Sequence, residues 1–185
     1  MILFDVNVLV HAFREDAPRH LEIRRWLEER VYSEGAFGLS DVVLSGFLRV
    51  VTHPRVFDPP TPLEDALAFV ESLRGQPNCV LFAPGRRHWR IFTRLCRKAE
   101  ARGNLIPDAY LAALAIESGS EWITADTDFR RFPGLKWSAL SWLPLEHEAE
   151  DRAGVGQIGL DVDPFYPLLD LQTHVPIAEK KPVPA

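Results

Sequence analysis

The sequence predicts an α/β fold, a central and mostly parallel sheet covered by helices on both faces. Three observations carry that expectation. Short apolar runs such as "MILFD", "AFGL" and "CVLFAP" recur between helical patterns. Within these runs apolar residues are nearly continuous rather than alternating, as in strands buried on both sides. Helix-starting and helix-stopping residues fall at the seams between runs and patterns.

Taken in order, "MILFD" reads as a buried strand that ends in an acid. "HLEIRRWLEERV" sets Leu21, Trp26, Leu27 and Val31 near helical spacing, so it reads as an amphipathic helix. "AFGL" is the second strand. "SDVVLSGFLRVVTHP" follows as a helix, with Ser40 or Asp41 as its cap and Pro54 marking its stop. "TPLEDALAFVESLRG" has Thr61 as a cap, Pro62 at the first position, Glu64 to complete a capping box, and Gly75 at the end. "CVLFAP" is the third strand. "GRRHWRIFTRLCRKAEARG" and "PDAYLAALAIESG" are two more helices, the second closed by Gly119. "EWITADTDF" holds a fourth strand and "LKWSAL" a fifth.

The bulk numbers fit one domain with an appendage. The chain has 185 residues, 46% hydrophobic and 25% charged, which suits a globular protein with a real core. Its first apolar run lacks a basic leader and is flanked by acids, so neither a secretory signal nor a membrane span is expected. Cys79 and Cys96 form no framework, which suits a reducing cytoplasm. The six histidines have no zinc-like spacing. The net charge of −5 is unevenly distributed. Residues 1–145 hold 18 basic and 18 acidic residues, whereas 146–185 hold three and eight. The first segment is the expected folded domain. The second has five prolines and no lasting period, and reads as an acidic, then Pro-rich extension. Its acids and the run "PFYPLLDL" suit docking on a basic face, binding to a partner, or no role at all.

Four acids share one expected edge. Asp5 ends the first strand, Asp126 and Asp128 follow the fourth, and Asp108 opens the helix before it. Each has an ordinary explanation: a helix-opening acid, a loop acid held by amides, or an Asx turn. Together they project beyond the carboxyl ends of parallel strands, where α/β folds place their functional crevice. Two carboxylates ~4 Å apart at an effective dielectric of ~20 repel by ~4 kcal/mol, so such a group calls for protons or a cation. All-oxygen ligation selects a hard ion, Mg²⁺ or Mn²⁺, and such an ion activates water against a phosphodiester.

The segments "DVNVLV", "FLRVVTHPRVF", "GNLIPDAYLAALAIE" and "ITADTDFRRFPGL" resemble those of PIN domains, in particular the VapC-type ribonuclease toxins. The resemblance spans residues 1–145. It implies an α/β/α sandwich, a Mg²⁺-dependent endoribonuclease acting on RNA, a cognate antitoxin protein and a homodimer. It further implies cleavage that leaves a 5′-phosphate and a 3′-hydroxyl. By this resemblance Asp5, Asp108 and Asp126 are metal ligands, Asp128 is an auxiliary catalytic acid, and Asn7 is a small polar residue touching the site. Gly46 stands where the family has a glutamate, and Asp41 lies five residues earlier. That departure leaves a catalytically silent RNA-binding protein as an alternative. A haloacid-dehalogenase-like phosphatase is another, although it wants an acid where Asn7 stands.

Arg86, Arg90 and Arg94, with Arg87, Arg97, Lys98 and Arg102, load one helix with cations, and Arg49 is a further candidate for substrate contact. A solvated face or a phosphate-contacting surface both suit this pattern. On that helix Trp89, Phe92, Leu95, Cys96 and Ala99 are expected to form the buried stripe. The five tryptophans are expected in the core or in interfaces.

Overall fold

The computed structural model describes residues 1–140. The expected extension, 146–185, and Trp142 lie outside the described residues. Five strands form one sheet: β1 (Ile2–Phe4), β2 (Phe37–Ser40), β3 (Cys79–Phe82), β4 (Glu121–Thr124) and β5 (Lys136–Ala139). Their order is β3-β2-β1-β4-β5, and every pairing is parallel. The sheet is therefore wholly parallel, where the sequence indicated mostly so.

Six α-helices connect the strands: α1 (Val6–Phe13), α2 (His20–Val31), α3 (Asp41–Val51), α4 (Leu63–Arg74), α5 (His88–Lys98) and α6 (Leu105–Ser118). A 3₁₀ turn, Thr127–Arg131, follows β4. Successive strand residues point to opposite faces, so four buried residues in a row on β2 require cover on both sides. β4 shows the same from Trp122 to Thr124. Edge strand β3 is different, with Val80 and Leu81 exposed. Helix α1 packs on both α2 and α3, α3 packs on α4, and α5 packs on α6. At the centre of β2, Gly38 is required by close approach, because a Cβ there would lie 2.5 Å from the Leu3 side chain and 2.8 Å from the Phe82 ring.

Three local expectations need correction. Helix α1 has no counterpart in the sequence reading. Its Val-rich stretch favours strand by propensity, yet Asp5 caps its start and Val8, Leu9, Val10 and Ala12 are all buried. Tertiary burial outweighs propensity here. Thr61 does not cap α4; its hydroxyl accepts from Arg14 Nη1 at 3.0 Å, and the helix begins at Leu63. On α5 the buried arc is His88, Ile91 and Leu95, while Trp89 is 69% exposed. The His88 ring meets the Tyr110 ring at 4.3 Å and its Nε2 lies 3.0 Å from the Tyr110 carbonyl, which turns Trp89 outward. Trp26 and Trp122 are core residues as expected. Ser40, not Asp41, caps α3, and the exposed Asp41 carboxylate meets Arg74 Nη1 at 2.8 Å.

Candidate active site

The strand order fixes where a site can form. From β1 the chain adds β2 and β3 on one side, then crosses to add β4 and β5 on the other. The order therefore reverses between β1 and β4, and open α/β sheets place their binding sites beyond the carboxyl ends of the strands at such a point. Asp5 follows β1 and Thr124 ends β4, and the Asp5 amide donates to the Ile123 carbonyl at 2.9 Å.

Asp5 is 6% exposed, yet each carboxylate oxygen has partners. Its Oδ1 accepts from the Val6 amide at 2.7 Å, capping α1. Its Oδ2 accepts from Thr124 Oγ1 at 2.5 Å and from Asn7 Nδ2 at 3.0 Å. Asn7 bridges the two chain segments, because its Nδ2 also reaches Thr124 Oγ1 at 3.1 Å and its Oδ1 accepts from the Ala125 amide at 3.0 Å. Thr124 Oγ1 in turn accepts from the Asp126 amide at 2.9 Å. The result is a small polar network that ties the start of α1 to the end of β4.

Burial pushes the Asp5 carboxyl up to about 6, and the charge of Asp126 adds to that effect. The hydrogen bonds from Thr124, Val6 and Asn7 act the other way, stabilising the charged form. Desolvation wins. Holding Asp5 charged at neutral pH therefore costs about 3 kcal/mol relative to the unfolded chain.

The remaining sequence-expected residues divide by position. Asp126 caps the 3₁₀ turn, its side chain accepting from the Asp128 amide at 2.7 Å. Asp128 faces outward to Arg131 Nε at 3.2 Å and is half exposed. Asp108 stands in the first turn of α6. That helix reaches β4 through Gly119 and Ser120 alone, so it runs antiparallel to the strand. Ten residues of helix rise about 15 Å and four of strand about 13 Å, which brings Asp108 level with the carboxyl end of β4. Arg49 is half-buried in the last turn of α3. Arg86, Arg90 and Arg94 are exposed. Helices α5 and α6 form an antiparallel hairpin, because the Gly85 and Arg87 amides at the start of α5 donate to the Glu117 carboxylate near the end of α6. Arg86 therefore lies at the far end of the hairpin from Asp108, whereas the last turn of α5 lies at the near end.

Thr124 is the site residue that sequence reasoning missed. A hydroxyl closing the strand "EWIT" two residues before an acid was the available signal. Among the described residues no three His, Cys, Asp or Glu side chains stand close enough to hold a metal unaided. The buried Asp5 with Asp126 beside it nonetheless fits a hard divalent ion, which binds through one or two carboxylates and fills its shell with water and substrate phosphate.

A groove of about 740 Å³ lies elsewhere, between α1, α2 and α4, lined by Phe13, Leu27, Phe69 and Leu73 together with the charged Arg14 and Glu28. Among the described residues no helix is long and apolar enough to cross a membrane.

Comparison with known proteins agrees with this architecture. Ribonuclease VapC43 of Mycobacterium tuberculosis is 44% identical over 137 residues, covering 74% of this chain and 93% of that one. Ribonuclease VapC25 of the same organism is 40% identical over 136 residues, covering 74% of this chain and 96% of its own. Among solved structures, VapBC2 of Rickettsia felis bound to a promoter DNA fragment matches with a TM-score of 0.56 at 19% identity, over 75% of this chain and 98% of that one. VapC20 of Mycobacterium tuberculosis, described as a sarcin-ricin loop cleaving toxin, matches with a TM-score of 0.53 at 15% identity, over 73% and 98%. These two structures share the fold. The PIN domain family matches residues 2–135, and this chain belongs to it.

Proposed function

We propose that this chain is a metal-dependent endoribonuclease, the toxic partner of a type II toxin–antitoxin pair, and that Asp5, Asp108 and Asp126 hold its Mg²⁺ or Mn²⁺, one or two of them directly and the rest through the ion's waters. One observation carries the reading. In a PIN domain whose relatives are named ribonucleases, a buried acid with an expensive charge sits at the strand-order switch with a second acid beside it. When bound, the ion supplies an activated water and a Lewis acid for the leaving oxygen of the phosphodiester.

The chain's own residues do the positioning. Thr124 Oγ1 and Asn7 Nδ2 donate to Asp5 Oδ2 and hold the carboxylate charged and oriented. The positive end of α1 adds to that effect. Asp126, fixed by its cap on the following turn, faces the same site, and Asp128 orients water or a second ion from the rim. The cations Arg90 and Arg94 contact RNA phosphates, with Arg49 and the more distant Arg86 as further contacts. The products are a 5′-phosphate and a 3′-hydroxyl.

The partners follow from the same reading. A cognate antitoxin protein blocks the site, and the groove between α1, α2 and α4, with both apolar and charged walls, suits a segment of it. The toxin acts in the cytoplasm, where its free Cys79 and Cys96 stay reduced, and works as a homodimer. A silent RNA-binding protein is the second reading, favoured by Gly46 in place of the family glutamate and by Asp41 being engaged with Arg74. Asn7, an amide occupied by Asp5 and Ala125, offers no acid–base group for the phosphatase alternative.

The test is RNA cleavage by the purified chain with EDTA, Mg²⁺ or Mn²⁺. Cutting that needs the ion and disappears in folded Asp5→Asn and Asp108→Asn variants is expected. Cutting that persists in both variants rejects the site, and RNA binding without cutting selects the silent form.

A further inference from the structure

The outer face of α5 is a row of cations that no acid meets among the described residues. Arg90, Arg94, Arg97 and Lys98 are all exposed, and the helix "HWRIFTRLCRK" contains no acidic residue. Among the described residues none of the four takes part in an ion pair. Their spacing places them on one side of the helix. The matching acids lie further along the chain. Glu146, Glu148, Glu150 and Asp151 put four carboxylates into six residues, in a segment with eight acids against three bases. That segment is an addition: VapC43 and VapC25 are covered to 93% and 96% of their lengths, but this chain only to 74%.

We propose that the acidic segment Glu146–Asp151 docks in cis on the basic face of α5 and competes there with RNA. The competition rests on the ribonuclease reading; the docking does not. Reach is not limiting. The segment begins six residues beyond Leu140 and ends eleven beyond it, a span of up to about 20 to 40 Å. A domain of this size has a radius of gyration of about 14 Å. Tethering also holds the segment at an effective concentration of about a millimolar, enough for a screened, multivalent ionic contact. RNA phosphates would meet the same four cations, so occupancy by one excludes the other.

Residues 1–145 contain only two lysines, Lys98 on this face and Lys136 at the start of β5, which makes a direct test available. The full chain is treated with a zero-length carbodiimide, which joins a carboxylate to an amine in contact. Linked peptides joining Lys98 to the 146–151 segment are expected, several-fold weaker at about 0.5 M salt. Links at Lys136 alone, or none, overturn the docking. Links between chains in a mixture of isotopically light and heavy protein, without links inside one chain, overturn its being in cis. A second arm measures binding of a single-stranded RNA oligonucleotide by the full chain carrying Glu146→Gln, Glu148→Gln, Glu150→Gln and Asp151→Asn together. Affinity about tenfold tighter than the parent at low salt, with the gain lost at high salt, is expected. Equal affinity overturns the competition. If neither chain binds RNA, the ribonuclease reading fails, and the Lys98 cross-link alone decides the docking.

Discussion

The carboxyl end of β1 and the outer face of α5 carry opposite charges under opposite conditions. At β1 one carboxylate is buried, beside a second acid, and three donors hold it in place. On α5 the cations are exposed and, among the described residues, without an ion pair. Water screens the second set at little cost. The first costs the fold free energy at neutral pH, and a hydrogen-bond network holds the charge where the strand order reverses. A charge maintained against desolvation marks where chemistry happens, while a charge left in solvent steers and binds.

Breaking the buried side of this comparison gives the largest effect. Asp5→Asn lowers RNA cleavage by about a thousandfold or more under saturating Mg²⁺, measured as single-turnover rate, with the fold intact by circular dichroism. The same substitution acts in the reverse sense on stability. The Asp5 carboxyl titrates at about 6 in the folded protein and near 3.8 unfolded. Below about pH 4 both states are protonated and the penalty is absent; it grows as pH rises and is complete above about pH 6. In metal-free protein the stability difference between Asp5→Asn and the parent therefore shifts in the variant's favour, by up to ~3 kcal/mol, as pH rises from 4 to above 6, in urea denaturation across that range.

Thr124→Val removes one donor while nearly keeping the shape. It is expected to weaken Mn²⁺ affinity by about tenfold to a hundredfold, read by calorimetry. On the exposed side, Arg94→Ala weakens RNA binding several-fold for all sequences alike and reduces the salt slope by about one, in filter binding at several ionic strengths. The smallest effect is at Trp89. Being 69% exposed, Trp89→Ala changes folding stability by less than about 0.5 kcal/mol, whereas the fully buried Trp122→Ala costs ~3–5 kcal/mol in the same denaturation assay.

The sequence made the parallel sheet legible because strands buried on both faces leave continuous apolar runs, as in "MILFD" and "CVLFAP". It made Asp5 and Asp126 legible because acids at strand ends stand out against such runs. Other features depend on pairings that no local pattern records. Thr124 matters only because β4 lies against β1, 119 residues away along the chain from Asp5. Helix α1 was hidden by its valines, which favour strand until burial decides. Trp89 was misplaced because an amphipathic pattern sets a helix's face only to within about one position, and the His88–Tyr110 contact selects the rotation.

The most direct test of the buried carboxylate as a metal site is a Mn²⁺ titration of the native chain against Asp5→Asn and Asp128→Asn by calorimetry at pH 7. Binding that is lost in Asp5→Asn and nearly retained in Asp128→Asn, whose carboxylate faces Arg131, is the expected result. Mn²⁺ binding of undiminished affinity in Asp5→Asn would contradict it.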